Sequence, residues 1–243
     1  MKTVIIVQAR MTSTRLPGKV LKEVLGKPLL EYQIERLRRI KNADEIVIAT
    51  TTNDTDQPII DLCERLFVSY FRGSEEDVLA RYHGAAKKYK ADVVVRVTSD
   101  CPVIDPAMCE ETIGYFLQHL DKYDYLRLEK CPRGLDIEVY SFNVLDDCFR
   151  KATEQPDREH VTTFIYKKNP ERYRIKYMNF PEDLSYHRWT VDTPEDFKLI
   201  SNIIKELYPL KPEFNYVDIL DVMNCNVDWY YINAAVRQKK YGK

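Results

Sequence analysis

Val4-Ile5-Ile6-Val7-Gln8-Ala9-Arg10-Met11-Thr12-Ser13-Thr14-Arg15-Leu16-Pro17-Gly18-Lys19 is the stretch whose reading decides the fold. Four consecutive apolar residues predict a buried strand. The loop that follows carries Arg10, Arg15 and Lys19 among three hydroxyl residues, and residues 28–40 read as a helix. Strand, cationic loop and helix together suit a polyphosphate. Backbone N–H groups and hydroxyls donate hydrogen bonds, and the three cations offset phosphate charge. The loop is not a Walker A motif, because no G-x-x-x-x-G-K-[ST] run is present, and Gly18 alone cannot make a dinucleotide fingerprint. The competing reading is a basic surface turn.

Outward from this stretch, strands and helices alternate. Residues 45–50 predict a second strand. Asp56 then serves as N-cap, with Pro58 in the first turn of a helix to about Arg65. Residues 67–71 predict a third strand. Ser74 caps a helix over 75–89, where Val78, Leu79, Tyr82, Ala85 and Ala86 fall at helical spacing. Residues 92–98 form a near-continuous apolar strand. Strands apolar throughout and alternating with helices imply an α/β fold, a mostly parallel sheet covered on both faces. Ligands on such sheets sit beyond the carboxyl ends of the strands, so the loops after residues 8, 50, 71 and 98 are where a site belongs.

Two acidic residues stand at such places. Asp100 follows the fourth strand in Thr98-Ser99-Asp100-Cys101-Pro102. Asp192 follows the apolar segment 188–191, expected as a strand, before a helix with Pro194 in its first turn. Either can hold a divalent cation, and either can merely cap a turn, as Asp105-Pro106 is expected to do for its own helix. Arg72-Gly73 reads either as a tight turn with an arginine that reaches a nucleotide or as a loop leading to a capped helix with an exposed arginine. Arg133-Gly134-Leu135-Asp136-Ile137-Glu138 alternates like a strand, with Asp136 and Glu138 on one face. It reads as a sugar-contacting strand or as an exposed edge whose acids discourage aggregation. The glycine signals close backbone approach or a bulge.

Length and composition bound the rest. At 243 residues, a single domain over 1–243 with a sizeable core is expected. A formal charge of −1 excludes bulk attraction to nucleic acid, so an anion site must be local. No run approaches the roughly 20 apolar residues of a membrane span, and the N-terminal apolar run is too short for an export signal. A cytoplasmic protein with no membrane partner is therefore expected. Its six cysteines, without a C-x-x-C pair, are read as reduced packing groups, and four histidines lack zinc-ligand spacing. The basic end 237–243 reads as a solvated tail.

Gln8-Ala9-Arg10 with Ser13, Arg15 and Leu16-Pro17-Gly18-Lys19 resembles the N-terminal signature of the sugar cytidylyltransferases, in particular the branch typified by spore coat polysaccharide biosynthesis protein F. The resemblance runs from Val4 to about Leu207. It implies a three-layer, Rossmann-like nucleotidyltransferase fold. It also implies transfer of CMP from CTP to a hydroxyl of an acidic sugar, of KDO or nonulosonic type, with release of pyrophosphate for cell-surface polysaccharide synthesis.

Carried onto matching positions, the resemblance assigns Ala9, Arg10, Ser13, Arg15, Lys19 and Arg72 to CTP. Asp100 and Asp192 fall to Mg²⁺, and Arg10, Arg15, Lys19 and Asp100 to catalysis. Arg133, Asp136, Glu138 and His160 are placed near the sugar. The stretch 121–142 is expected to leave the sheet as a sugar-binding and dimer-forming excursion, making the protein a homodimer. Two other readings stand beside this one: a glycosyltransferase using Asp54-Thr55-Asp56 as a DxD motif, and a non-catalytic sugar or nucleotide binder.

Overall fold

The computed structural model describes residues 1–238. Strand β1 (Thr3–Gln8) is followed by the cationic loop, a single 3₁₀ turn at Lys19–Leu21 and a small antiparallel ribbon, β2 (Glu23–Val24) with β3 (Lys27–Pro28). Helix α1 then spans Leu29–Leu37. Next come β4 (Glu45–Thr51), α2 (Gln57–Arg65), β5 (Ser69–Gly73), α3 (Val78–Lys88), β6 (Val93–Thr98) and α4 (Pro106–Gln118). The chain continues through β7 (Tyr125–Glu129), β8 (Glu138–Ser141), α5 (Phe142–Lys151), α6 (Gln155–His160) and β9 (Ile175–Asn179). It ends in α7 (Pro194–Leu207) and α8 (Tyr216–Cys225).

Seven strands form one sheet in the order β5-β4-β1-β6-β8-β7-β9. All run the same way except β8, which is antiparallel to both neighbours. Alternation along β1 sends Ile5 and Val7 to one face, with Ile34, Ile59 and Ile113 of α1, α2 and α4. Val4 and Ile6 go to the other, with Leu79, Tyr82 and Leu145 of α3 and α5. The result is the three-layer α/β architecture the alternation implies. A third cluster joins Trp189 and Val191 to Ile200, Ile203 and Ile204 of α7 and to Ile219 of α8. Each such aliphatic side chain contributes about 1.5–3 kcal/mol by leaving water. Among the described residues no helix is long and apolar enough to cross a membrane, no cysteine is disulfide-bonded, and five of the six thiols are buried.

Several expectations need correction. The first helix begins at Leu29 and ends at Leu37, and the 3₁₀ turn and ribbon separate it from the cationic loop. The third strand starts at Ser69, because Phe67 is a left-handed turn residue (φ 52) with its ring 95% exposed. Helix α3 is capped by Asp77, which accepts from Ala80 N at 2.9 Å, whereas Ser74 Oγ accepts from Asp77 N. Segment 189–191 is buried, and 188–191 is not a strand, pairing with the 130s only as an isolated bridge, Arg133 to Arg188.

The stretch 121–142 does not leave the sheet. It supplies β7 and the internal strand β8, and only 130–137 loops outside. Gly134 (φ 105) lets that loop press on the next segment, since a Cβ there would sit 2.6 Å from the Trp189 carbonyl. The tail expected over 237–243 lies outside the described residues from 239 onward.

Candidate active site

The cationic loop is held by its backbone. Ala9 N donates to Ala49 O (3.1 Å), Gly18 N to Met11 O (2.9 Å) and Met11 N to Asp56 Oδ1 (2.7 Å). Asp56 stands at the N-cap position of α2, but its side chain makes no cap bond. Fully buried, it accepts instead from the Thr50 and Thr51 hydroxyls at 2.9 and 2.6 Å and from Thr51 N. Burial would raise its pKa, and these bonds outweigh burial and hold it below the ordinary value. The carboxylate is consumed in tying the loop to β4, so Asp54-Thr55-Asp56 is a turn and not a metal-binding motif. From the opposite side Glu75 accepts from the Thr12 hydroxyl, the Asn53 amide and Arg10 Nη1, the last at 3.2 Å.

Asp100 and Asp192, 92 positions apart in sequence, meet because segment 190–191 zips onto the end of β6. Val191 N and the Thr190 hydroxyl both donate to the Asp100 carbonyl, at 2.8 and 3.0 Å. Lys19 Nζ lies between the two carboxylates, 2.8 Å from Asp192 Oδ1 and 3.5 Å from Asp100 Oδ2. Arg15 Nη2 reaches Asp192 Oδ2 at 3.0 Å. Arg188 donates to the same oxygen at 2.8 Å and is itself fixed by the fully buried Asp196.

Asp196 also closes the capping box with Thr193 that starts α7. Burial would raise the Asp192 pKa, but Lys19, Arg15 and Arg188 outweigh it and hold the carboxyl well below the usual range. Burial pushes the Lys19 ammonium down, and Asp100 and Asp192 more than reverse this. Both groups are charged at neutral pH.

A cleft of about 660 Å³ opens over these groups. Ala9, Arg10, Ser13, Arg15 and Lys19 line it from the loop, and Asp100 and Asp192 from the far side. His160, the last residue of α6, lines the same cleft. Helix α6 is docked onto α3 by Arg158, whose Nε donates to both oxygens of Asp77 at 3.0 Å. After His160 the chain reverses sharply at Val161 (φ 61, ψ −60), with Thr162 N donating to the His160 carbonyl at 2.6 Å. A buried β-branched residue held in that conformation is strained, and such strain gathers at functional sites. Burial lowers the His160 pKa, so its ring is neutral at pH 7.

The remaining expected residues lie elsewhere. Arg72 donates from Nε and Nη2 to the carbonyls of Thr51 and Asn53 (3.0 and 3.1 Å) and does not line the cleft. Arg133 and Asp136 are exposed on the 130s loop, outside the cleft lining. Glu138, expected to face sugar or solvent, is buried in the middle of the sheet. It accepts from Arg96 Nη1 (2.7 Å), the Tyr125 hydroxyl (2.7 Å) and the Thr162 hydroxyl (2.9 Å). Burial would raise its pKa, but Arg96 and Arg127 outweigh that and keep it charged.

Among the cleft residues not foreseen are two arginines, Arg81 on α3 and Arg96 on β6. Each had a signal in the sequence. Arg81 falls within the helical stripe Val78, Tyr82, Ala85 that packs on the sheet, and Arg96 is the lone charge inside Val93-Val94-Val95-Arg96-Val97.

Among the described residues no three His, Cys, Asp or Glu side chains form a ready metal cage. Mg²⁺ does not require one, because it is bound through one or two carboxylates with substrate phosphates and water completing the shell. Two carboxylates converging on one ammonium at the cleft are a hard-oxygen donor set that fits such an ion.

The fold and this site define a nucleotidyltransferase. Residues 4–235 match the family model described as cytidylyltransferase, and the chain belongs to that family. It is 35% identical to spore coat polysaccharide biosynthesis protein SpsF of Bacillus subtilis, over 92% of this chain and 94% of that one. The solved structure of a cytidylyltransferase from Leptospira borgpetersenii superposes with a TM-score of 0.90 at 32% identity, covering 99% of both chains. A CMP:2-keto-3-deoxy-manno-octonic acid synthetase complexed with CTP shares the fold at TM-score 0.65 and 19% identity, over 85% of this chain and all of that one. The protein is thus an enzyme of the CTP-dependent nucleotidyltransferase class.

Proposed function

We propose that the enzyme transfers CMP from CTP to a hydroxyl of an acidic sugar of KDO or nonulosonic type. The acceptor oxygen attacks the α-phosphorus, the bond to the bridging oxygen breaks, pyrophosphate leaves, and the hydroxyl proton passes to solvent. The observation that carries this reading is the Lys19 ammonium held between Asp100 and Asp192 beside Arg15, at the mouth of the cationic loop. The loop cations Arg10, Arg15 and Lys19 are each paired with a carboxylate, and a triphosphate offers them new partners. Arg10, Arg15 and Lys19 bind the triphosphate and stabilise the departing pyrophosphate, with Ser13 and the Ala9 backbone completing the loop contacts. Asp100 and Asp192 would hold Mg²⁺, which when bound offsets charge on the α-phosphate and acidifies a nearby hydroxyl. Phosphoryl-type transfer needs positioning and electrostatics rather than a covalent nucleophile.

On the acceptor side, His160 lines the cleft together with Arg96, whose guanidinium is already paired with Glu138 at 2.7 Å. Arg72, Arg133 and Asp136 would need a rearranged loop to reach it. A homodimer working in the cytoplasm, feeding cell-surface polysaccharide synthesis, completes the proposal. The test is pyrophosphate release with Mg²⁺, crossing CTP, UTP, ATP and GTP with acidic and neutral sugars. Release only with CTP and an acidic sugar is expected. Release with neutral sugars alone would overturn the acceptor class.

A further inference from the structure

Three cations converge on Asp192, and they are not equivalent. Lys19 and Arg15 line the cleft, so a bound triphosphate can draw both away from the carboxylate. Arg188 does not line it, and its guanidinium nitrogens are engaged inside the protein. Nε donates to Asp196 Oδ1 at 2.8 Å and Nη2 to Asp196 Oδ2 at 2.9 Å, a two-pronged grip on a fully buried carboxylate. The same Nη2 donates to Asp192 Oδ2 at 2.8 Å, and Nη1 to the Gln238 side-chain oxygen at 2.8 Å.

Asp196 holds Asp192 a second time, through the backbone. Its Oδ2 accepts from Asp192 N at 3.0 Å and from Thr193 N at 3.2 Å. The segment after α8 closes the arrangement from behind. Asn233, 6% exposed, donates from Nδ2 to Asp196 Oδ1 and to the Arg188 carbonyl, both at 2.9 Å. Asp192 is thus fixed at its N–H and at one carboxylate oxygen by groups outside the cleft lining. Charge matters here as much as geometry. Arg188 and Asp196 offset one another, so the pair orients Asp192 while leaving its negative charge available to a cation.

We infer that Arg188, locked by Asp196 and Asn233, is a positioning residue that keeps Asp192 Oδ1 turned toward Asp100 once Lys19 and Arg15 have moved to phosphate. Oδ1 faces that way through the Lys19 ammonium, which lies between the two carboxylates. When the loop cations leave, Arg188 is the one of the three still attached to Asp192; without it the carboxylate is free to turn. This rests on the proposed metal role of Asp192. Removing a partner that orients a metal-ligating group lowers metal affinity or activity by about 10- to 100-fold.

The test uses the full-length enzyme with Arg188→Lys and Asn233→Ala. Lysine keeps the charge but has no planar fork to span Asp192 and Asp196. Alanine removes the brace and leaves Arg188 in place. Calorimetry measures CTP affinity without metal and across a Mg²⁺ series, and a thermal scan checks each fold. In Arg188→Lys the Mg²⁺ concentration giving half the gain in CTP affinity is expected to rise about 10-fold or more, with metal-free CTP affinity unchanged. Asn233→Ala should shift it in the same direction by less.

A wild-type Mg²⁺ response in folded Arg188→Lys would overturn the inference whatever its melting temperature, because a purely structural ion pair leaves that response alone. An equal fall in CTP affinity with and without metal would overturn it too, since the loss would then lie in the nucleotide contacts. Should Arg188→Lys fail to fold, an unchanged Mg²⁺ response in Asn233→Ala decides against it. Wild-type enzyme whose CTP affinity ignores Mg²⁺ would remove the metal role of Asp192 and the inference with it, a result visible before any variant is made.

Discussion

The two sides of the cleft treat charge differently. At the loop end, Lys19, Arg15 and Arg188 converge on Asp192 at 2.8 to 3.0 Å, and Lys19, Arg15 and Asp192 line the cleft. At the sheet end, Glu138 is enclosed by Arg96, Tyr125 and Thr162 and buried. The first cluster offers pairs that a triphosphate can exchange, because water and ligand reach them. The second offers pairs that cannot be exchanged without leaving a charge stranded in the interior. Mutations in the first should change binding and turnover while sparing the fold, and mutations in the second should do the reverse.

The largest expected effect is at the exchangeable end. Asp192→Asn and Asp100→Asn should each lower turnover about 10³-fold, the scale of losing a main electrostatic contributor to a transition state. The thermal transition should fall less than in Glu138→Ala, because Arg188 keeps Asp196 as its partner and the asparagine oxygen still accepts a hydrogen bond, and an equal loss of stability would break the contrast. Glu138→Ala should destabilise by roughly 3–5 kcal/mol in urea unfolding, because Arg96 is left buried and uncompensated. A full-strength fold in that variant would contradict its structural role.

Lys19→Ala should weaken CTP binding by about 10- to 100-fold, from loss of a charge-assisted hydrogen bond of ~1.5–3 kcal/mol. Unchanged affinity would remove Lys19 from the phosphate site. The smallest effect concerns acid. Burial depresses the His187 pKa from 6.5 to about 4, so the folded state favours its neutral ring. That contribution is complete above pH 6.5 and lost as pH falls toward 4, and His187→Gln should flatten the melting-temperature profile across that window.

The same contrast explains what the sequence disclosed. Strand β1, its cationic loop and β6 announce themselves through short apolar runs ending in polar residues, since a parallel sheet buries both faces of its strands. Asp105 was legible as a cap because its bonds to Ala107 N and Met108 N are local. Glu138 was misread as solvent- or sugar-facing because its partners Arg96 and Thr162 are 42 and 24 positions away. Without them, a four-residue strand carrying an acid resembles an edge. Arg72 and Arg81 show the same limit from the other side. Both sit near one turn, and only the packing around Gly73 determines that Arg81 reaches the cleft while Arg72 turns to the carbonyls of 51 and 53. Residues 188–191 were read as a strand from their apolarity, whereas they are a buried strap whose bonds to the Asp100 carbonyl bring the two carboxylates together.

Calorimetric titration of CTP into the enzyme, with and without Mg²⁺, on wild type and Asp192→Asn, tests most directly whether the Lys19–Asp100–Asp192 cluster is a triphosphate and metal site. Wild-type affinity should rise at least about tenfold with Mg²⁺, and the variant should lose that dependence while still binding CTP through the loop cations. Equal Mg²⁺ dependence in both proteins would contradict the assignment.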